Sequence, residues 1–301
     1  MSKDINIQAA NKINLSGILM DVDFGDGVTK TQQPYKRATV TVRVTQTYGG
    51  KTETSDIPVS MFATEYTAAG KPNPAWKSLN DLKLMNTTKN VGIDAASRVR
   101  ITGASLQENY FTSRTGAFID GWQIRGSFIN EVRAAEVASF VTDIYIIHMR
   151  EETDRDGIDT GRLIITAGIV QYGGKLEQID FIVESPDTVE YISRNWKVND
   201  TVTAKGRIRV LSQEEEVQAS GWGEEVPDTT TRLVRELIIT TGDDEGKEED
   251  LAYDPVEIKR AANERQARIE QDQIAARKNM PKQGSGSAGS PEAEAKKYSW
   301  A

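Results

Sequence analysis

Cations and aromatic rings recur together in the first third of the chain. Tyr35 precedes Lys36 and Arg37, Tyr48 stands three residues before Lys51, Trp76 adjoins Lys77, and Tyr110 and Phe111 come shortly before Arg114. Arg43, Arg98, Arg100 and Arg125 fall in runs where every second residue is apolar: Val40, Val42 and Val44 around the first, Val99 and Ile101 around the next two, Ile124 beside the last. In an extended strand successive side chains point to opposite faces, so these four Arg are expected on the outside of whatever their apolar neighbours pack into. An exposed ring beside a cation suits an unpaired nucleobase. The ring takes the base face, worth about 1–3 kcal/mol per base, and the cation takes the phosphate. Tyr35, Lys36, Arg37, Arg43, Tyr48, Lys51, Trp76, Arg98, Arg100, Tyr110, Phe111, Arg114 and Arg125 make up the candidate nucleic-acid-binding set. Phe62, Phe118, Trp122 and Phe128 read instead as core.

Other chemistries find little support. Cys is absent and the sole His is His148. This removes thiolate zinc sites, disulfides, Cys nucleophiles and multi-His metal clusters, and weakens any triad that needs a His base. There is no P-loop, no Gly-x-Gly-x-x-Gly opening a helix after a strand, and no Gly-x-Ser-x-Gly elbow. Asp154, Asp156 and Asp159 cluster around Gly157 but lack the spacing of an EF-hand loop, and they read as a hairpin turn. No cofactor, no metal and no enzymatic activity are expected.

The elements that must position these residues occur twice. Tyr-Gly-Gly-Lys appears at Tyr48–Lys51 and again at Tyr172–Lys175, each time between two alternating runs: Ala38–Gln46 and Thr52–Val59, then Arg162–Val170 and Leu176–Val183. Period-2 runs around a Gly-Gly turn signal a β-hairpin. Each hairpin is preceded by an opening strand, Lys12–Val22 or Val137–Arg150. Each is followed by a segment with helical potential, Ala75–Met85 or Ser185–Trp196, then a strand ending in Gly103 or Gly206, then a closing strand, Gly121–Ile129 or Arg232–Thr240. Five strands with a helix between the third and fourth is the plan of the OB-fold. The expected fold is mainly β: two tandem OB-fold-like five-stranded barrels followed by a helical and flexible C-terminal tail. The expected domains are 1–133, a basic first barrel that binds nucleic acid; 134–242, an acidic second barrel; and 243–301, the tail. A β-sandwich is the structural alternative.

Charge divides along the same boundaries. The chain carries −8 overall, but residues 1–133 carry +4, residues 134–242 carry −9 and residues 243–301 carry −3. A polyanion is drawn to the first barrel and repelled by the second. In the third part an acidic run, Asp243–Asp254, leads to a helix expected from Pro255 to Asn279, whose few apolar residues suggest a solvated or partner-bound element. Residues 283–290 are a Gly/Ser linker. No run of about 18 apolar residues could span a membrane and the N-terminus lacks an apolar signal region, so a cytoplasmic protein is expected.

The repeated strand–Tyr-Gly-Gly-Lys–strand unit and the Val99-Arg100-Ile101-Thr102-Gly103 strand resemble the single-stranded DNA-binding proteins of tailed phages that carry tandem OB-folds, over residues 12–242. The resemblance implies largely sequence-independent coating and protection of exposed strands during phage DNA replication or recombination, in the host cytoplasm. The partners it implies are single-stranded DNA and, through residues 243–301, replication or recombination proteins; self-association is also open. The family's acidic end is internal here, at Asp243–Asp254, and the chain finishes Tyr298-Ser299-Trp300-Ala301. Two other readings remain: a phage structural or assembly protein that uses its barrels for protein contacts, and an RNA-binding OB protein.

Overall fold

The alternating runs fold as long strands whose apolar positions face inward. The structure, a computed structural model, describes residues 2–112, 118–119, 121–154, 156–217 and 228–278. In the first half β1 (Asn11–Val28), β2 (Pro34–Tyr48) and β3 (Lys51–Thr64) form a meander. Helices α1 (Pro74–Leu82) and α2 (Thr88–Val91) follow, then β4 (Arg98–Glu108), a small hairpin of β5 (Phe111–Thr112) and β6 (Phe118–Ile119), β7 (Trp122–Gly126) and β8 (Phe128–Glu131). β1 pairs antiparallel with β2 and β4, β2 with β3, and β4 with β7, while β3 runs parallel to β7. That circuit closes a barrel around Val40, Val42, Val59, Val99, Leu106 and Ile124. Helix α1 begins at Pro74, where a missing N–H does no harm, and the Asn73 side chain caps it by accepting from Ala75 N at 3.0 Å. It closes one end of the barrel through Ser78, whose hydroxyl accepts from Ile129 N at 2.9 Å.

The second half repeats the circuit. Its elements are β9 (Val137–Thr153), β10 (Asp159–Val170), β11 (Leu176–Val183), α3 (Pro186–Asn195), β12 (Thr201–Val217) and β13 (Asp228–Gly242). β9 pairs with β10 and β12, β10 with β11, β12 with β13, and β11 runs parallel to β13. Asp154 shapes the β9–β10 turn, its carboxylate accepting from the backbone N–H of Asp156 and Ile158 at 2.9 and 2.8 Å. The fold is thus mainly β with two OB-type barrels.

Three features depart from the sequence reading. The strands expected to end at Gly103 and Gly206 run on, because the first part of each pairs with its barrel's opening strand and the remainder with the closing strand. The closing strand of the first barrel is split into β7 and β8, which pair with opposite ends of β4. The barrels are also not beads on a string. β1 pairs with β9 from Asn11↔Thr142 to Ser16↔Val137, so both barrels share one continuous eleven-stranded sheet.

Helix α4 (Pro255–Lys278) is docked rather than solvated. Ile258, Ala261, Arg265 and Ile269 are buried, at the three-to-four-residue spacing of one helix face. Arg265 pairs with Glu108 of the first barrel, and Arg268 Nη2 donates to the Leu176 carbonyl of the second at 3.5 Å. Ahead of the helix, Lys247 pairs with Asp143 at 2.7 Å, and the buried Tyr253 donates its hydroxyl to the Ile7 carbonyl at 2.7 Å. Among the described residues no helix is long and apolar enough to cross a membrane.

Candidate nucleic-acid interface

OB barrels take oligonucleotides on the face of their second and third strands and in the flanking loops. In the first barrel that face is the outside of β2 and β3, continued onto β7. Register sets its rows. Thr39, Ser60, Arg125 and Ser105 lie side by side across β2, β3, β7 and β4. In the next row Arg37 is opposite both Gly25 and Phe62, and beyond it Tyr35 is opposite both Gly27 and Thr64. The Tyr35 and Phe62 rings stack, with centroids 5.3 Å apart and planes 30° from parallel.

The two glycines of β1 make room for this arrangement. A Cβ at Gly25 would come within 2.5 Å of Arg37 Nε, and one at Gly27 within 2.6 Å of the Tyr35 ring. Side chains there would displace the guanidinium and the ring that lie across the strand. Phe62 is 42% exposed, and among the described residues Arg37 and Arg125 have no ion-pair partner. A stacked pair of the exposed Phe62 and the half-buried Tyr35, flanked by two uncommitted guanidinium groups, can stack bases and meet phosphates.

The β5–β6 hairpin, in the loop between the fourth and closing strands, holds a second aromatic group. Phe111 and Phe118 are exposed, and Tyr110 lies against Phe118 with centroids 5.9 Å apart. The Tyr110 hydroxyl donates to Asp272 of α4 at 3.0 Å. Arg114 lies outside the described residues.

The remaining candidates are placed elsewhere. Lys36 stands over the Trp76 ring, 4.3 Å from its centroid, and bonds Asn80, so this cation already has a ring of its own. Arg43 makes a two-pronged ion pair with its cross-strand neighbour Asp56, both bonds 2.7 Å. Arg98 pairs with Glu136 at 3.3 Å, while Arg100 is exposed. Both lie on the part of β4 that pairs with β1 and β8, not with β7. Lys51 is at the exposed tip of the β2–β3 hairpin. Tyr48 is half-buried between the barrels, 4.3 Å from the Arg207 guanidinium. Arg43 and Arg98 lie on the outside as expected but are already ion-paired, because Asp56 faces Arg43 across the hairpin and Glu136 arrives from the segment joining the barrels.

Phe62 and Phe118 were assigned to the core and are instead on the surface, 42% and 40% exposed. The signal for Phe62 was in the alternation: Ile57, Val59, Met61 and Ala63 all point inward, so residue 62 must point out. Phe118 had no such signal, since its strand is two residues long.

Topology and this face together define a two-barrel OB-fold protein. A family model, YorF, matches residues 9–274, and the chain belongs to the YorF family. No curated protein sequence matches it. The crystal structure of the wild-type single-stranded DNA-binding protein from Thermus aquaticus is similar with a TM-score of 0.50 at 9% identity, covering 82% of this chain and 98% of that one. A deletion mutant of that Thermus protein gives 0.48 at 11% identity with the same coverage. At such identities the likeness is one of fold.

Proposed function

We propose that this protein binds single-stranded DNA, largely without regard to sequence, through the outer face of its first barrel. The observation that carries the proposal is the stacked Tyr35–Phe62 pair between Arg37 and Arg125, on the strand pair where OB barrels take oligonucleotides. The exposed rings of the β5–β6 hairpin extend the stacking surface. The +4 charge of residues 1–133 draws the polyanion there. The name of the Thermus protein, which has this fold, agrees with the reading. The setting we assign is coating of exposed strands in phage DNA replication or recombination, as the sequence resemblance implies, with residues 243–301 as the segment that meets partner proteins.

Fluorescence anisotropy with a labelled 30-mer of dT, the same length of duplex and the same length of RNA tests it. The single strand of DNA is expected to bind at least tenfold more tightly than duplex. Equal affinity for duplex and single strand would overturn the proposal. Tighter binding of RNA would favour an RNA-binding protein, and no binding of any would favour an assembly role.

A further inference from the structure

We infer that the outer face of β10, β11 and β13 in the second barrel does not take the strand, because it is apolar and ion-paired and its β12 border is held in protein contact by the β2–β3 hairpin of the first barrel, and that the chain therefore presents one strand-binding face rather than two. This rests on the single-strand-binding reading above. The two barrels share a circuit, so their faces can be compared row by row. Where the first has Thr39, Ser60, Arg125 and Ser105 in register, the second has Ile164, Ile182, Ile238 and Arg207. All three Ile are buried, and they form a small apolar cluster separate from the main core. In place of an uncommitted Arg125 the row offers Arg207, only 7% exposed and ion-paired to Glu53 and Glu184.

The adjoining row is closed too. Arg162, Glu184, Glu236 and Arg209 form one lattice: Arg162 pairs with Glu236 and, at 3.2 Å, with Glu152, and Arg209 pairs with Glu236 and, at 3.0 Å, with Glu184. Three Arg stand among four Glu, so within this lattice every guanidinium is already ion-paired and carboxylates are in surplus. The hairpin of the first barrel completes the lattice. Glu53 reaches Arg207 and Arg209, the Ser55 hydroxyl accepts from Val210 N at 3.1 Å, and the Tyr48 ring lies against Arg207.

The stacking platform is missing as well. The sole aromatic among the described residues of β10, β11 and β13 is Phe181, which is in the core. β3 runs on to Thr64 and so carries Phe62, whereas β11 stops at Val183 just before α3.

The chain has no Cys, so a single introduced thiol reports one place. Ser60→Cys marks the first face and Asp180→Cys the second. The maleimide modification rate of each is measured with and without saturating dT 15-mer, whose binding to the unmodified chain is followed separately by anisotropy. The thiol at 60 is expected to be protected at least fivefold and the thiol at 180 less than 1.5-fold, with one dT 15-mer bound per chain. If Ser60→Cys prevents binding, Thr64→Cys at the rim of the same face replaces it. Equal protection of both thiols, or two 15-mers per chain, would overturn the inference and leave the strand-binding reading intact. An anisotropy that never rises would overturn both. Glu53→Lys sets a third cation against Arg207 and Arg209. It is expected to lower the melting temperature while changing dT affinity less than twofold, and a tenfold loss of affinity would overturn the assignment of the junction to protein contact.

Discussion

The guanidinium of Arg207 lies 4.3 Å from the centroid of the Tyr48 ring, and with the Glu53 ion pairs that contact ties the second barrel to the hairpin of the first. The Tyr48 hydroxyl donates to the Gln46 side-chain carbonyl at 2.8 Å, and the same oxygen accepts from Ala138 N at 3.0 Å. The repeat of this sequence has another fate. At Tyr172 the ring is 87% exposed and touches no charged partner at the junction. The two copies of Tyr-Gly-Gly-Lys thus differ as turns, a two-residue turn with Tyr48 opposite Lys51 against a 3-10 turn at Tyr172–Gly174 between Val170 and Leu176, and they differ as sites.

Arg207→Ala should therefore destabilise the protein by about 1–3 kcal/mol, because it removes the buried guanidinium that Glu53 and Glu184 share and leaves both to Arg209 alone. Tyr172→Ala, a surface change, should stay within about 0.5 kcal/mol of wild type. Thermal unfolding of both variants checks this. Equal melting temperatures would show that the junction contributes little to stability.

A chain ending near residue 250 should lose both stability and solubility. It lacks Tyr253, Ile258, Ala261 and Ile269, all buried, and the Arg265 that pairs with Glu108. Arg265→Ala alone should cost about 1–3 kcal/mol, since the buried Glu108 carboxylate loses that guanidinium. Urea unfolding of Arg265→Ala is the direct measurement, and an unchanged midpoint would mean that α4 adds little to the two barrels.

The barrels were legible because their information is local. Alternation tells which side of each strand is buried, Gly-Gly fixes the turn, and the order strand–strand–strand–helix–strand–strand occurs twice. The Arg43–Asp56 pair could have been read from the same register, since residues 43 and 56 face each other once the Gly49–Gly50 turn is placed. The docking of α4 was hidden because its central buried residue is Arg265, which a count of apolar residues passes over. The joint between the barrels was hidden for a related reason. Arg207 and Arg209 alternate with apolar residues just as Arg98 and Arg100 do, and what locks them is the convergence of Glu184 and Glu236 from their own barrel with Glu53 from the other, which no run of sequence displays.

Stability should fall in acid. Burial pushes the Glu236 carboxyl up, but hydrogen bonds and charge from Arg162 and Arg209 outweigh it and hold the group below its ordinary value of 4.5. Asp143 behaves likewise: burial raises it, and Lys247 and Thr203 more than offset that, leaving it below 3.8. A carboxyl depressed in the folded state contributes stability above its unfolded pKa and loses it as pH falls through the folded one. The melting temperature should be level between about pH 5 and 7 and decline below about pH 4.5. Glu236→Gln should be less stable at pH 7 and show a shallower acid decline. A melting temperature unchanged down to pH 3 would contradict both assignments.

The salt dependence of binding should locate the strand. Each phosphate contact to a single strand contributes about −0.7 to the slope of log affinity against log salt. Arg37 and Arg125 flank the Tyr35–Phe62 pair without ion-pair partners among the described residues, so changing both to Ala should flatten the slope by about 1.4. Arg98 and Arg100 lie on the wall formed with β1 and β8, and Arg98 is already held by Glu136. Their double change should flatten it by less than half as much. Phe62→Ala and Tyr35→Ala should each weaken dT binding by about 1–3 kcal/mol and leave the slope unchanged, because stacking releases no counterions. Tyr48→Ala should lower the melting temperature and spare the affinity, since its ring is engaged by Arg207. If the Arg98–Arg100 pair proved as important to the slope as Arg37 and Arg125, the strand would have to pass around β4 and β8, and the ring pair on β2 and β3 would be a surface feature without a base to hold.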